Sequence, residues 1–231
     1  MRHRTFLPLI LGAVMLFTGC AATNREWEVW RAHPTHYATA NHLALVVVAM
    51  AFAIAIAVPL GMLIVHRKTL RNFALGIASI FQTIPSLALF GFLIPVPFIG
   101  GIGRRTAIVA LVLYALLPIL RNTYVGLTGI DPAVLEAAEA MGMTEYQILW
   151  RVRLPLARAV ILAGIRTATI ITIGVATIAA AIGAGGLGTF IFRGVAMVSD
   201  AVILAGAIPA ALLAIAADLL LGWLERRLKI V

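Results

Sequence analysis

Long apolar runs separated by short polar segments organise this chain. An N-terminal apolar segment, Phe6 to Ala22, is followed by a polar stretch over residues 23–42 and then by five hydrophobic segments. Most of these are close to the ~20 residues that cross the hydrocarbon core of a bilayer as an α-helix. We therefore predict an all-α integral membrane protein with one five-span domain over residues 43–228. The five segments are Leu43 to Val65, Phe73 to Ile99, Thr106 to Leu120, Val160 to Ile182 and Ala201 to Trp223.

Composition supports this class and argues against a nucleic-acid-binding protein. Apolar residues make up 62% of the 231 positions, charged residues make up 12%, and the mean hydropathy is +1.05. An ordinary soluble domain has about 45–50% apolar and roughly 25% charged residues. The net charge of +9 comes from Lys and Arg at the ends of apolar runs rather than from one basic face. We therefore expect contact with the lipid bilayer and not with nucleic acid.

The same basic residues predict the orientation in the membrane. Loops rich in Lys and Arg stay in the cytoplasm, and the loop HRKTLR follows the first main span. If that loop is cytoplasmic, alternation places twelve of the eighteen Lys and Arg residues on its side when the N-terminal segment also spans, and five on the other, with Arg166 at a membrane edge. The pair Arg104 and Arg105 runs against the rule. The charged segment between the third and fourth main spans is predicted to be cytoplasmic.

The N-terminal segment, residues 1–22, has two interpretations. A basic start, MRHR, and an apolar run that ends before Cys20 are typical of a lipoprotein signal, which is cleaved and lipidated at the cysteine. Phe17 departs from that pattern, which usually has Leu there. The alternative is an uncleaved helix of 17 residues, which is barely long enough to span. In both cases residues 23–42 form an outer-side, periplasmic polar segment.

The charged segment begins with a predicted short helix. Asp131 suits the N-cap, and Pro132 suits the first helical position, where its missing N–H costs nothing. Gly142 suits the left-handed position just after a helix end. One face of this helix is apolar, while Glu136 and Glu139 point elsewhere. The apolar face carries Val134, Ala137, Ala138 and Met141.

A second helix is predicted directly after the glycine. Thr144 and Gln147 form a capping box, T-x-x-Q, which starts a helix. Pro155 disfavours the helical conformation at Leu154, so we expect the helix to bend or end there. The result is two helices with a glycine corner over residues 131–155. Taken alone, such a segment is either a solvated hairpin between spans or a corner that docks on another protein.

The segment also carries a motif of defined spacing. It reads Glu, Ala, Ala, three residues, Gly, nine residues, Val, one residue, Leu and Pro, and it resembles the EAA signature of permease subunits in ATP-binding-cassette (ABC) importers. Val152 in place of Ile is the one, conservative departure. The resemblance implies that this segment is the coupling helix that sits in a groove of an ATPase subunit. The motif positions are Glu136, Ala137, Ala138, Gly142, Val152, Leu154 and Pro155.

Six further stretches resemble the permease of bacterial osmoprotectant importers, the glycine betaine, choline, carnitine or proline type. The resemblance covers about residues 43–228 and leaves out the N-terminal forty or so residues. It implies the fold of a type I ABC importer permease. The stretches are AVPLG (57–61), QTIPSLAL (82–89), YALLPILRNTYVGL (114–127), ILAGIRTATI (161–170), IGAGGLG (182–188) and ILAGAIPAALLA (203–214).

The resemblance also implies partners and a location. Such an importer combines a pair of permease subunits, identical or paralogous, with two ATPase subunits and a periplasmic or lipid-anchored binding protein, in the bacterial plasma (inner) membrane. The chain itself would be a multi-pass permease and not an enzyme, would hold no cofactor, and would leave ATP to the partner subunit. A P-loop needs Gly-Lys-Ser/Thr, whereas Lys68 and Lys229 follow Arg67 and Leu228.

Polar residues within the predicted spans are candidates for the solute pathway. Four threonines lie along the fourth main span, where they either line the pathway or only hydrogen-bond their own helix. Arg166 and Asp218 are ionisable groups in spans, and we expect them to snorkel or to form a structural ion pair. Asp200 is expected to cap the last span. The threonines are Thr167, Thr169, Thr172 and Thr177.

Three other features resemble ligand sites, but we predict that they bind no ligand. Three histidines are irregularly spaced and have no Asp, Glu or Cys among them, so we expect solvated loop residues and no metal site. Three aromatic residues fit an interfacial belt or amphipathic helix better than a cage for a quaternary ammonium. The run Gly183 to Gly188 fits G-x-G-x-x-G but follows a predicted span and not a strand, so it is interpreted as a tight outer-side turn or re-entrant loop. The histidines are His33, His36 and His42, and the aromatic residues are Trp27, Trp30 and Tyr37.

Two rival functions are open on sequence alone. The coupling motif is shared far more widely than any substrate, so a permease for another small solute, such as an amino acid, is one rival. A small secondary transporter, with no ATPase partner, is the other. Substrate-specific uptake separates the first rival from an osmoprotectant permease, and co-purification with an ATPase subunit decides against the second.

Overall fold

The computed structural model of the chain describes residues 35–65 and 67–228. Within these ranges every regular element is a helix, which confirms the predicted class. A π-helical turn, Leu149–Arg153, joins α6 to α7, and a 3₁₀ turn, Ala179–Ile182, follows α7. The α-helices are α1 (Thr35–Ile64), α2 (Lys68–Thr83), α3 (Ser86–Leu93), α4 (Arg104–Thr128), α5 (Pro132–Ala140), α6 (Glu145–Ile148), α7 (Leu154–Ile178), α8 (Gly188–Ala196) and α9 (Asp200–Leu228).

The number of spans depends on one bent pair of helices. In the described ranges, four helices are long and apolar enough to cross a membrane: α1, α4, the continuous helix Glu145–Ile182 that contains α7, and α9. The pair α2 and α3 satisfies the same criteria only together, with a bend of 105° between them. If this pair is one broken span, the core has five spans, as the sequence predicted.

A bend divides the predicted hydrophobic segment from Phe73 to Ile99. α2 ends at Thr83, and Ile84 is extended, with φ −67° and ψ 128°. The cause is Pro85, which lacks a backbone N–H and disfavours the helical conformation in the residue before it. α3 then ends at Leu93. The segment therefore contains two helices joined by a bend rather than one straight helix.

A tyrosine of α4 stabilises this break. The Tyr114 hydroxyl donates a hydrogen bond to the Ile84 carbonyl, and Tyr114 is only 6% exposed. A carbonyl freed by a helix break in a membrane needs a protein partner, because lipid tails offer no donor. Tyr114 supplies that donor and so stabilises the bend between α2 and α3.

We expect Tyr114→Phe to lower the thermal stability of the purified protein in detergent. The substitution keeps the ring but leaves the Ile84 carbonyl unsatisfied, which costs about 1–3 kcal/mol. For a chain of this size that is a fall in Tm of roughly 2–12 °C. Tyr124→Phe is the matched control, because its hydroxyl accepts from Arg71 in a partly buried position and a smaller fall is expected. Equal stability of the Tyr114→Phe variant and the parent would contradict this role.

α4 is the central helix of the bundle, and it packs closely against α1 and α7. A Cβ atom at Gly61 of α1 would lie 2.5 Å from Cγ2 of Thr123 on α4. A Cβ atom at Gly164 of α7 would lie 2.8 Å from the carbonyl oxygen of Pro118. Small residues at helix crossings allow such close approach in membranes. The helix that leads into the charged segment is thus held firmly on both sides.

The first helix corrects the interpretation of two histidines. α1 is helical from Thr35, eight positions before the predicted apolar segment at Leu43. His42 therefore lies in helix and not in a loop, and it is fully buried against the glycine-rich turn, where a Cβ atom at Gly186 would lie 3.1 Å from its Nδ1. His36 also lies in α1 and not in a loop, but it is exposed, as expected, and its ring centroid lies 4.4 Å from that of Tyr37.

The glycine-rich turn between α7 and α8 is tight, as predicted. Gly183, Gly185 and Gly186 have φ angles of 76°, 80° and 82°, which residues with a side chain rarely adopt. Gly188 packs so closely on α7 that a Cβ atom there would lie 1.8 Å from the carbonyl oxygen of Thr177. Conformation and close packing both explain why glycine occupies these positions.

The start of the last helix differs slightly from the prediction. α9 begins at Asp200 itself, and the Ile203 N–H donates to the Ser199 carbonyl at 3.1 Å. Asp200 thus lies in the first turn rather than at the cap. A carboxylate in this position still interacts favourably with the positive end of the helix dipole.

Candidate coupling site

The short helix α5 begins and ends as its sequence dictates. The Asp131 carboxylate accepts a hydrogen bond from the Ala133 N–H at 2.9 Å, and Pro132 is the first helical residue. At the other end the Met143 N–H donates to Ala138 and the Gly142 N–H donates to the Glu139 carbonyl, a Schellman motif. Gly142 has the required positive φ of 76°. The predicted cap and glycine terminus are confirmed.

A second cap fixes the turn that follows. The Thr144 N–H donates to Oε1 of Gln147 at 2.8 Å, and the Gln147 N–H donates to Oγ1 of Thr144 at 3.4 Å. This is the predicted capping box. We use the name coupling corner for residues 131–148, the two capped helices α5 and α6 with the glycine between them. Its shape is therefore specified by local sequence.

The motif residues of the coupling corner are divided between an outer surface and the bundle. Glu136, Ala137 and Gly142 are exposed, whereas Ala138 is only 2% exposed. Among the described residues, no atom beyond the adjoining residues lies within 4 Å of a Cβ built on Gly142. The first part of the motif thus offers an open surface, whereas the side chain of Ala138 is buried.

An exposed apolar cluster extends this surface beyond the motif. Met141 is 75% exposed and Tyr146 71%, and Val134 and Trp150 are also exposed. The rings of Tyr146 and Trp150 lie 6.1 Å apart at their centroids. Met and aromatic residues are enriched at protein interfaces. Sequence reasoning missed Tyr146 and Trp150, although their i, i+4 spacing on a helix was a usable signal.

We expect Asp131→Ala to loosen α5 without unfolding the bundle. Losing an N-cap side chain costs about 0.5–2 kcal/mol, and α5 has few other contacts that would compensate. Amide hydrogen exchange in α5 should accelerate, while exchange in α4 should be unchanged. Asp131→Ser, which keeps a capping oxygen, is the matched control. Unchanged exchange in α5 of the Asp131→Ala protein would contradict the role of the cap.

Pro155 does not end the second helix or separate it from the next span, so of the two predicted outcomes, a bend or an end, the end is wrong. Leu154 is helical, with φ −64° and ψ −44°, and the helix is continuous from Glu145 to Ile182. The five residues before it, Leu149–Arg153, form a π-helical turn. In an α-helix the proline ring would clash with the carbonyl four residues earlier, and a widened π turn relieves that conflict. The coupling corner is therefore joined to α7 without a break.

The second half of the motif packs into the bundle. Val152, Leu154 and Pro155 are partly buried, and Leu154 packs on a small cluster that includes Leu127 and Ile161. Arg153 adds a polar link, because its guanidinium donates to the Leu127 carbonyl of α4 at 3.1 Å. These residues attach the coupling corner to the spans on both sides of it.

The four candidate pathway threonines do not share one environment. Three hydroxyls donate to carbonyls of their own helix: Thr167 to Ala163, Thr169 to Ile165 and Thr177 to Gly174. The fourth, Thr172, is fully buried and contacts the Met50 sulfur of α1 at 3.6 Å. Thr167 is exposed, while Thr169 and Thr177 are partly exposed. Own-helix bonding thus describes three of them and helix packing describes Thr172.

The two ionisable groups in the spans form the expected ion pair. Arg166 on α7 donates to both carboxylate oxygens of Asp218 on α9, at 2.6 and 2.9 Å. It also donates to Glu225 of α9 at 3.2 Å. Sequence reasoning proposed the pair but not the third partner.

Cys20, Trp27, Trp30 and His33 lie outside the described residues.

Comparison with known proteins identifies the class. Residues 53–230 match the family described as "Binding-protein-dependent transport system inner membrane component". The chain belongs to this family, and with its four or five candidate spans it is a multi-pass permease of the inner membrane rather than an enzyme.

Particular relatives narrow the comparison. The chain is 50% identical over 189 residues to the carnitine transport permease protein OpuCD of Listeria monocytogenes, which covers 81% of this chain and 83% of the relative. It is 48% identical over 189 residues to the glycine betaine/carnitine/choline transport system permease protein OpuCD of Bacillus subtilis, covering 81% of each. It is 48% identical over 195 residues to the osmoprotectant import permease protein OsmW of Salmonella typhimurium, covering 84% and 89%. The resemblance stated from the motifs is confirmed.

Solved structures confirm the fold. The chain superposes on a subunit of the MetNI methionine ABC transporter in an inward-facing conformation with a TM-score of 0.74 and 27% identity, covering 82% of this chain and 94% of that one. An amino acid ABC transporter solved with histidines gives a TM-score of 0.72 at 18% identity, with coverage of 89% and 99%. The fold is that of type I ABC importer permeases, and such permeases are components of multi-subunit importers.

Proposed function

We propose that this chain is the membrane-spanning permease of an ATP-driven importer of compatible solutes of the glycine betaine, choline, carnitine or proline type. The observation that carries the proposal is the 48–50% identity, over about four-fifths of the chain, to permeases named for carnitine, for glycine betaine, carnitine and choline, and for osmoprotectants. The neighbour named for methionine is 27% identical. An osmoprotectant is therefore preferred over an amino acid as the solute.

The exposed surface of the coupling corner supports an ATPase partner. Glu136, Ala137 and Gly142 are exposed, as are Met141 and Tyr146 in the same segment. The coupling corner thus presents a partly apolar surface that fits a groove on a partner protein. Exposed apolar patches of this kind mark protein interaction sites. The ATPase subunit binds this surface from the cytoplasm and supplies the ATP site, so the chain itself needs no cofactor.

The route from this surface to the spans supports a mechanical role. α6, the π turn and α7 form one continuous helix, and Arg153 connects that helix to the end of α4. Closure of an ATPase dimer on ATP displaces the coupling corner, and the attached spans move as rigid bodies between inward-open and outward-open states. Pairing with a second permease subunit places the pathway between the two chains, and a separate outer binding protein delivers the solute.

The proposed pathway residues are threonines of α7, the helix that continues from the coupling corner. Thr167 is exposed in the single chain, and Thr169 and Thr177 are partly so, whereas the buried Thr172 contributes to helix packing. We include Thr167, Thr169 and Thr177 in the pathway on this basis and assign Thr172 to the contact with α1. The coupling positions remain Glu136, Ala137, Ala138, Gly142, Val152, Leu154 and Pro155.

Solute uptake in a transporter-deficient bacterial cell tests the proposal. The chain is expressed with its ATPase and binding protein, and radiolabelled glycine betaine, choline, carnitine, proline and methionine are offered separately. We expect uptake of at least one of the first four and none of methionine. Uptake of methionine alone would overturn the substrate assignment and favour an amino acid permease.

A further inference from the structure

Arg166 makes a three-point contact between the helix that follows the coupling corner and the last span. Its Nε and Nη2 atoms bind the two oxygens of Asp218, at 2.6 and 2.9 Å, and its Nη1 atom binds Oε2 of Glu225 at 3.2 Å. Two parallel N–H···O bonds fix both the separation and the orientation of the groups. This contact holds α7 against α9 more specifically than apolar packing does.

A glycine on α9 makes room for the guanidinium. A Cβ atom at Gly222 would lie 2.9 Å from both Cζ and Nη1 of Arg166, closer than real Cβ contacts. Gly222 lies between Asp218 and Glu225 along α9, so the three residues form a seat for one arginine. A simple snorkelling arginine would need no such seat.

The position of this seat gives it a mechanical consequence. Arg166 lies on the continuous helix that begins in the coupling corner. Asp218 and Glu225 belong to α9, which follows that helix in the chain only after the glycine-rich turn and α8. An arginine or carboxylate left unpaired in a membrane is costly. Separation of α7 from α9 would leave these groups without their partners, and is therefore opposed in the conformation seen here.

We propose that Arg166 is a positioning residue that locks α7 and α9 into one rigid unit, so that displacement of the coupling corner moves the last span together with α7. The inference rests on the proposed coupling function. It assigns to α9 a movement during transport, although no residue of the coupling motif lies on α9. The pair has a positioning role and does not contact the solute.

A distance measurement between α7 and α9 tests whether the two helices move as one unit when Arg166 and its partners are unchanged. With Cys20, the single cysteine, changed to serine, spin labels are placed at the exposed Val160 of α7 and Leu220 of α9 in the reconstituted complete importer. We expect the same distance distribution without nucleotide and with ATP trapped. A distance that changes between these states in a complex that still transports would overturn the lock, while leaving the proposed function intact.

Substitutions test whether the seat is responsible. Arg166→Gln combined with Asp218→Asn should broaden the 160–220 distance distribution and lower the solute transported per ATP hydrolysed by roughly tenfold, a typical coupling effect between sites. Gly222→Ala keeps every charge but displaces the guanidinium, and we expect an intermediate loss. Arg158→Gln is the matched control, because Arg158 joins the same two helices by one exposed bond to the Leu228 carbonyl, and we expect nearly parental coupling. Parental stoichiometry in both the double variant and Gly222→Ala would contradict the proposal.

Discussion

Replacing Gly142 with leucine is expected to leave the protein inserted in the membrane but to abolish solute uptake. Gly142 has a φ of 76°, and a residue with a Cβ atom in this left-handed region costs about 1–2 kcal/mol. That strain distorts the end of α5 but is too small to unfold a bundle of spans. In the part of the chain that the structure describes, no atom beyond the adjoining residues lies within 4 Å of the added Cβ, so the leucine side chain projects into the space assigned to the ATPase.

Two further variants separate backbone strain from the loss of space. Gly142→Asn restores a residue that tolerates the left-handed conformation, so it isolates the effect of bulk at the interface. Gly76→Leu adds the same side chain to an exposed glycine of α2 that has open space around it and no positive φ, and it should transport like the parent. Uptake and membrane abundance are measured for all three. Normal uptake by a well-expressed Gly142→Leu protein would remove the coupling role of this position.

Gly188→Ala is expected to have the largest effect on stability. The added Cβ would lie 1.8 Å from the carbonyl oxygen of Thr177 and 2.9 Å from Cβ of Ala180, and neither neighbour is the flexible end of a side chain. Overpacking of this kind costs about 1–3 kcal/mol and occasionally more. At the upper end of that range, about 3 kcal/mol, we expect a fall in Tm of roughly 6–12 °C, with less protein in the membrane.

The control for this prediction lies on the facing helix. Gly174 of α7 has no atom within 4 Å of a built Cβ, so Gly174→Ala should match the parent or slightly exceed it, because alanine favours helix. Both proteins are purified in the same detergent and unfolded by heating. A Gly188→Ala protein that unfolds with the parent would show that the turn shifts without cost, and the close packing of the turn would lose its significance.

Local rules predicted the coupling corner well because its shape depends on local chemistry. Asp131, Gly142 and the pair Thr144 and Gln147 each satisfy hydrogen-bonding groups a few residues away, so their identities specify caps and a corner without help from the rest of the fold. The lengths of the apolar runs likewise predicted the spans. The match to the permease family then followed from motif spacing.

The failures all involve contacts made across the bundle. His42 lies in a polar stretch, and only the packing of α1 against the glycine-rich turn buries it. Pro85 signals a possible bend, but the hydroxyl of Tyr114 from another helix stabilises the break. Hydrophobic periodicity along one segment carries no information about these partners.

ATP-dependent uptake into liposomes tests the central claim most directly. The permease is reconstituted with its ATPase, with loaded binding protein on one face and ATP on the face of the coupling corner, and labelled solute crossing the membrane is measured. The account predicts transport toward the ATP side that needs hydrolysis and is lost in the Gly142→Leu protein. Equal transport without ATP, driven by an ion gradient, would contradict it and identify a secondary transporter.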